Sequence, residues 1–194
     1  MGILVTGQAV AVPVTLGFGS ESGEFGLLDT YSEGGFTLLV ESGLEWGFDD
    51  SAGNGPSSLV AGFDGEIGIG DTISITNDDD RLFQLLDVDL ASLVDFDLSD
   101  GVDLIGLLDD VEVASITDIT TDSDTFAALS SFGGVAIFTD FIDELQIVGA
   151  SQNDASLLID NLELQAVPVP TPILLLMSGL LGLGVIAYRR SAEA

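Results

Sequence analysis

One tryptophan, Trp46, is followed closely by Asp49, Asp50 and Asn54, the only grouping in the chain whose residue types suit a sugar. An indole face can stack on a pyranose ring while carboxylates and an amide bond its hydroxyls. The same tryptophan packed between sheets would be core, so its exposure separates the two roles. Carboxylates are the other chemistry in supply. Histidine and cysteine are absent, which removes the usual general base, thiolate nucleophiles, zinc-thiolate sites and disulfides together. A glycosidase needs two carboxyl groups at a set separation, one with a raised pKa. Among 33 acidic residues such a pair arises by chance. No Ser-His-Asp set, P-loop or dinucleotide fingerprint occurs. The expectation is a protein that is not an enzyme.

Asp160 is the acid in the least ordinary position. In the predicted last strand it shares parity with Leu158, Leu162 and Leu164, so an unbroken strand turns its carboxylate toward the core. A buried carboxylate is costly unless paired or metal-bound. A bulge turning it outward, or backbone N–H donors, would also resolve that cost. Asp78, Asp79 and Asp80 lack the spacing and glycine of an EF-hand and read as a solvated turn. Asp87 with Asp89, and Asp95 with Asp97, alternate along strands and read as solvated outer faces; bridging a cation between molecules is the alternative.

Composition narrows the partners. The net charge is −30, and Arg81 is the only cation before residue 189. Nucleic acid is excluded, since binding it needs cations to displace counterions from phosphates. Direct docking on anionic lipid is disfavoured on the same ground. Such a charge repels itself unless salt or divalent cations neutralise it. Hydrophobic content of 46% separates the chain from acidic disordered sequences. Without its two termini, about 150 residues remain, enough for one domain with one core.

The elements that must position these residues are β throughout. Ile67, Ile69, Ile73 and Ile75 share one parity, with Thr72, Ser74 and Thr76 on the other, as in a half-buried strand. Leu86, Val88 and Leu90 are expected to face one way, with Asp87 and Asp89 the other. Further strands are predicted near 35–40, 57–62, 111–117, 124–129, 134–138, 144–149 and 156–164. Gly34-Gly35, Gly53 to Pro56, Asn77 to Asp80, Gly133-Gly134 and Ser151 to Asp154 supply the turns. The segment 100–110 could hold a short turn of helix. Many short strands at this spacing predict an all-β fold, an antiparallel two-sheet β-sandwich of jelly-roll type over 12–166, followed by one C-terminal hydrophobic helix.

That helix sits in 167–194. Pro168, Pro170 and Pro172 hold the chain extended, so nothing helical starts before Pro172. Ile173 to Tyr188 is uncharged and slightly short for a membrane of about 30 Å at 1.5 Å per residue. Arg189 and Arg190 would hold the far end on the cytoplasmic side. At the other terminus, Ile3 to Val14 is mildly apolar, and Ala9-Val10-Ala11 has the small-x-small pattern of a signal peptidase site, with no basic region before it. Residues 1–11 read as the remnant of a signal peptide that begins further upstream; alternatively, 3–16 is the first strand of the body.

The tail resembles the PEP-CTERM sorting signal of Gram-negative bacteria. Pro170, Thr171 and Pro172 lie where that family has its Pro-Glu-Pro motif, Leu180 to Gly184 matches its glycine-interrupted helix, and Arg189 with Arg190 matches its basic end. Thr171 departs from the usual glutamate, and Val167 to Pro170 offers the register of the related Val-Pro-Leu-Pro tails. An ordinary C-terminal anchor is the plainer reading. The resemblance implies export, a membrane-anchored precursor crossing the inner membrane transiently through 173–188, and cleavage near the motif by an exosortase, a membrane cysteine protease. The product would reside at the cell surface or in the extracellular matrix.

The body is similar to the jelly-roll domains carried by such proteins, which resemble galactose-binding-like and carbohydrate-binding sandwiches. Tyr31 to Phe36, Trp46-Gly47-Phe48, Asn54-Gly55-Pro56, Phe83 to Ser92, Phe141 to Leu145 and Ile159 to Leu162 carry the likeness over about 15–165. In related jelly rolls an acid of the last strand, an early acid and loop carbonyls hold a structural Ca²⁺. By that likeness Asp160 with Glu21 or Glu24 is the expected calcium site. The function expected is an exported, acidic structural or adhesive sandwich associated with exopolysaccharide. The alternative is a carbohydrate-binding module with its sugar site at Trp46, Asp49, Asp50 and Asn54.

Overall fold

In a computed structural model the described residues are 11–18, 30–40, 46–49, 58–61, 70–92, 98–121, 127–129, 136–149 and 157–168. Backbone packing divides the chain into Val12–Ala166 and a second unit of Met1–Ala11 with Val167–Ala194. Of the second unit only 11, 167 and 168 are described, so the expected helix 173–188 lies outside the described residues. Among the described residues no helix is long and apolar enough to cross a membrane.

Among the described residues the body is all-β, and every strand pairing is antiparallel. Its strands are β1 (Val14–Leu16), β2 (Thr30–Glu33), β3 (Phe36–Val40), β4 (Trp46–Asp49), β5 (Ser58–Ala61) and β6 (Thr72–Asn77). They continue with β7 (Phe83–Ser92), β8 (Leu98–Leu108), β9 (Val111–Thr121), β10 (Ala127–Leu129), β11 (Glu144–Gly149) and β12 (Leu157–Ala166). Sheet A runs β10-β7-β12-β5-β4, with β1 also on β12; sheet B runs β2-β3-β6-β11-β8-β9. The two sheets bury one core between them, as two half-apolar sheets must.

Alternation decides which side chains enter that core. Ile73 and Ile75 of β6 and Leu145 and Ile147 of β11 point inward, while Ser74, Thr76, Glu144 and Gln146 point out. The segment 100–110 is strand, not helix: Val102 and Leu104 alternate into the core, and β8 pairs with β11 and β9. Where a strand near 134–138 was expected, 136–138 runs as a bend, and Phe138 and Ile142 drop into the core. This segment joins the layers. Phe83 and Ile142 exchange two backbone hydrogen bonds of 2.8 and 2.9 Å on sheet A, while the Asp143 N–H donates to Leu107 O of sheet B at 2.9 Å.

β7 and β12 break their alternation together. The register slips between Asp160 and Glu163 and again before Leu164, and Asn161 takes φ +47°. On β7, Leu85, Val88 and Leu90 therefore enter the core, and Leu86 is only half-buried. A bulge adds a residue on one strand and reverses the faces beyond it. That reversal governs where the acids point.

Candidate functional site

Trp46 is core. It is 2% exposed and packs edge-on against Phe48 (5.8 Å between centroids) and Tyr31 (6.5 Å). Phe18 joins the cluster against Tyr31 at 5.7 Å and Phe48 at 6.3 Å. Half-buried Glu33 seals it, its Oε2 accepting from the Tyr31 hydroxyl at 2.9 Å and the Phe18 N–H at 3.2 Å. Such edge contacts are the preferred aromatic geometry. The tryptophan is therefore no sugar platform, because strand parity sends Trp46 and Phe48 inward together. Asp49 ends β4 opposite Ser58; Asp50 and Asn54 lie outside the described residues.

Asp160 does not point into the core. Leu157 and Ile159 take the inward positions, and the bulge at Asn161 returns Leu162 and Leu164 to them. Leu158 instead packs with Val60 and Ala91 on the outer side of sheet A, the side that Asp160 shares. The carboxylate is still only 1% exposed. Its Oδ1 accepts the Asn161 N–H at 2.7 Å, so outward bulge and backbone donor both apply. Across the ladder Asp160 faces Asp89, and Glu163 faces Asp87. The Asn161 amide donates to Asp89 Oδ2 at 2.8 Å.

The Asp87–Asp89 face is thus far less solvated than its alternation predicted: Asp89 is buried and Asp87 half-buried. Loss of solvation raises the Asp87 pKa above the usual carboxylate value, a hydrogen bond from Val88 lowers it, and the Asp89 charge raises it. Among the described residues no group of three acids is placed to hold a metal ion. Glu21 and Glu24 lie outside them, as do Pro170, Thr171, Pro172, Arg189 and Arg190. Asp78, Asp79 and Asp80 form an exposed turn, stapled by Asn77 Oδ1 accepting from Asp79 N–H at 3.1 Å. Arg81 pairs with Asp79.

The outer face of sheet B carries a polar grouping that no motif marked. Glu144 Oε1 accepts from Ser74 Oγ at 2.7 Å and from Gln146 Nε2 at 2.8 Å. Beside it Thr76 pairs with Thr37, whose hydroxyl donates to Asp78 Oδ1 at 2.7 Å and meets Ser32 Oγ at 2.8 Å. Cross-strand register sets Leu39, Ser74, Gln146 and Ile105 in one row and Thr37, Thr76, Glu144 and Leu107 in the next. Ser74 points outward yet is only 6% exposed, because its small side chain sits between larger neighbours. The face offers carboxylate, amide and hydroxyl groups fixed by mutual bonds, with exposed Leu39 on its apolar border. Period-2 alternation was its one sequence signal; the pairing of β6 with β11 lies beyond local pattern.

No protein-family model and no curated protein matches the chain. Solved structures of carbohydrate-binding modules do. A variant of the family 29 module CBM29-2 aligns with TM-score 0.45 and 13% identity over 81% of this chain and 91% of that one. The family 11 module of the cellulosomal cellulase Lic26A-Cel5E of Clostridium thermocellum aligns with TM-score 0.38 and 13% identity over 75% and 95%. A family 11 module from Clostridium thermocellum, solved with a β-1,3-1,4-mixed-linked tetrasaccharide, aligns with TM-score 0.37 and 14% identity over 81% and 96%. With TM-scores below one half, these likenesses carry no argument about this chain's ligand.

Proposed function

We propose that this chain is a non-catalytic sandwich that contacts extracellular polysaccharide through the outer face of sheet B. The observation that carries the reading is Glu144 held between Ser74 and Gln146 on an outward face. A carboxylate, an amide and hydroxyls fixed on adjacent strands can pair with the vicinal hydroxyls of a sugar at small entropic cost. An anionic chain carrying −30 favours a neutral polysaccharide over an acidic one. The test is affinity electrophoresis of the full chain in mild detergent, in native gels containing soluble neutral polysaccharides. Wild type is retarded; Glu144→Ala weakens retardation about tenfold, the equivalent of about 1.4 kcal/mol. Unretarded wild type would remove the reading.

A purely structural or adhesive role is the second reading, favoured by the burial of Trp46. It predicts no retardation in any gel.

Export, exosortase processing and a final place at the cell surface or in the matrix are proposed from the tail alone. Mass spectrometry of protein from an exosortase-positive host should find mature protein without 173–188; Ala194 still attached would count against processing. Structural Ca²⁺ at Asp160 with Glu21 or Glu24 is proposed from the acid load. Identical melting with and without EDTA at high NaCl would discard it.

A further inference from the structure

We propose that the end of the sandwich where β12 finishes rests on the surface of a zwitterionic lipid bilayer. This rests on the membrane-anchored reading of 173–188 above. Among the described residues the exposed large apolar side chains are Val12, Leu39, Leu82, Val111, Val113 and Phe141. All but Leu39 gather at that one end.

Backbone pairing places them there. β12 finishes at Ala166, opposite Phe83, the first residue of β7, and Leu82 precedes it. Val12 comes just before Val14, which lies opposite Leu164 near the same end of β12. Phe83 exchanges hydrogen bonds of 2.8 and 2.9 Å with Ile142, the neighbour of Phe141. Phe141 also lies just before Glu144, where β11 begins opposite Leu107. Next to Leu107, Leu108 pairs with Val111 across the Asp109–Asp110 turn, and Val113 follows. Both sheets therefore contribute, from the ends of β8 and β12 and the starts of β1, β7, β9 and β11.

The chain itself indicates what covers this end. A second copy is a poor occupant, because each carries −30. Residues 167–172, which follow β12, span at most about 20 Å. With the uncharged segment Ile173 to Tyr188 in a bilayer, this end cannot leave the lipid by much more than that. Tethering at such range gives a high effective concentration, so a few apolar side chains hold a contact that a free protein would lose.

Charge selects the lipid. The Asp78–Asp80 turn, the Asp109–Asp110 turn and Asp140 lie at the same end, and Arg81 is the only cation before residue 189. Such a rim is repelled by anionic headgroups. A zwitterionic headgroup instead turns its ammonium group outward, where carboxylates accept it, and a quaternary ammonium also suits the exposed ring of Phe141 beside Asp140. Apolar side chains enter the headgroup layer, and the acids stay at its edge.

Because the chain has no cysteine, a single introduced one carries a fluorophore. The full chain is labelled at Leu82→Cys or at Thr117→Cys and reconstituted in phosphatidylcholine vesicles with a spin-labelled lipid as quencher. Thr117 is exposed on β9, about 20 Å along the strand from Val111. Flotation of the vesicles reads anchoring separately. The chain should float, and the Leu82 label should be quenched at least fivefold more than the Thr117 label. Val111→Ser with Phe141→Ser should keep the melting temperature and flotation and lower quenching at Leu82 at least threefold. Val111→Leu with Phe141→Trp, which keeps the apolar surface, should retain it. Phosphatidylglycerol in place of phosphatidylcholine should lower it as the serine pair does. Quenching unchanged by the serine pair means that the tether alone holds this end near lipid, and overturns the proposal. Equal quenching at Leu82 and Thr117 in floating vesicles overturns it and leaves the anchor intact. A chain that does not float overturns both. Quenching as strong in phosphatidylglycerol overturns the zwitterionic assignment.

Discussion

Asp89 and Asp160 stand directly opposite each other on β7 and β12, and the single side chain and backbone of Asn161 hold both. Like charges in a directly opposed pair are destabilising, and a second such pair, Asp87 with Glu163, follows at once. Asn161 offsets part of this by giving its N–H to one acid and its amide to the other. It does so from φ +47°, a left-handed conformation that asparagine tolerates better than most residues.

Replacing Asn161 therefore costs two separable things. Asn161→Gly keeps the backbone easy and loses the amide bond to Asp89, an expected loss of about 1.5–3 kcal/mol for a bond to a charged group. Asn161→Ala loses the same bond and adds about 1–2 kcal/mol of left-handed strain. Urea unfolding should rank wild type above Gly and Gly above Ala. An alanine variant as stable as the glycine variant would refute the strain argument.

Asp87 sets a pH dependence whose sign follows from burial. Its folded-state pKa is raised, first by desolvation and also by the Asp89 charge. Between the ordinary carboxylate pKa and that raised value the folded state binds more protons than the unfolded one. Stability thus falls as pH rises through this window, and is regained as pH falls through it. Asp87→Asn should be more stable than wild type at pH 7, and the gap should close on acidification. Melting curves of the two proteins from pH 4 to 7 check this; a gap constant with pH would refute it.

The places where strand pattern succeeded and failed share one cause. Alternation at Ile73, Ser74 and Ile75 was readable because β6 is unbroken, and the sandwich class followed from many such strands. Leu86 and Asp160 were misassigned because each lies beside a bulge, and a bulge depends on which strand lies opposite. The same limit hid the Glu144 grouping, since Ser74 and Glu144 are 70 residues apart in sequence. Trp46 was legible only as one of two roles; its parity with Phe48 is what sends it inward.

Gly106 is where sheet B accepts the crossing segment. A Cβ there would lie 2.7 Å from Ile142 Cγ2 and 3.1 Å from two ring carbons of Phe138. Both neighbours are core side chains with bonded backbones, so they yield poorly. Gly106→Ala should cost about 1–3 kcal/mol by overpacking. Unchanged melting would mean that the segment moves aside freely.

Trp46 supplies the sharpest separation of core from ligand site. If its ring were a sugar platform, Trp46→Phe would lose binding and keep stability. The geometry requires the reverse. The indole is enclosed by Tyr31 and Phe48, so Trp46→Ala should cost about 3–5 kcal/mol, the usual range for a large aromatic removed from a core. Trp46→Phe keeps most of the apolar volume and should cost less. At temperatures where it is folded, its retardation in polysaccharide gels should match wild type, because Glu144, Ser74 and Gln146 on the outer face of sheet B are untouched. A folded Trp46→Phe protein that is no longer retarded would return the sugar site to the tryptophan.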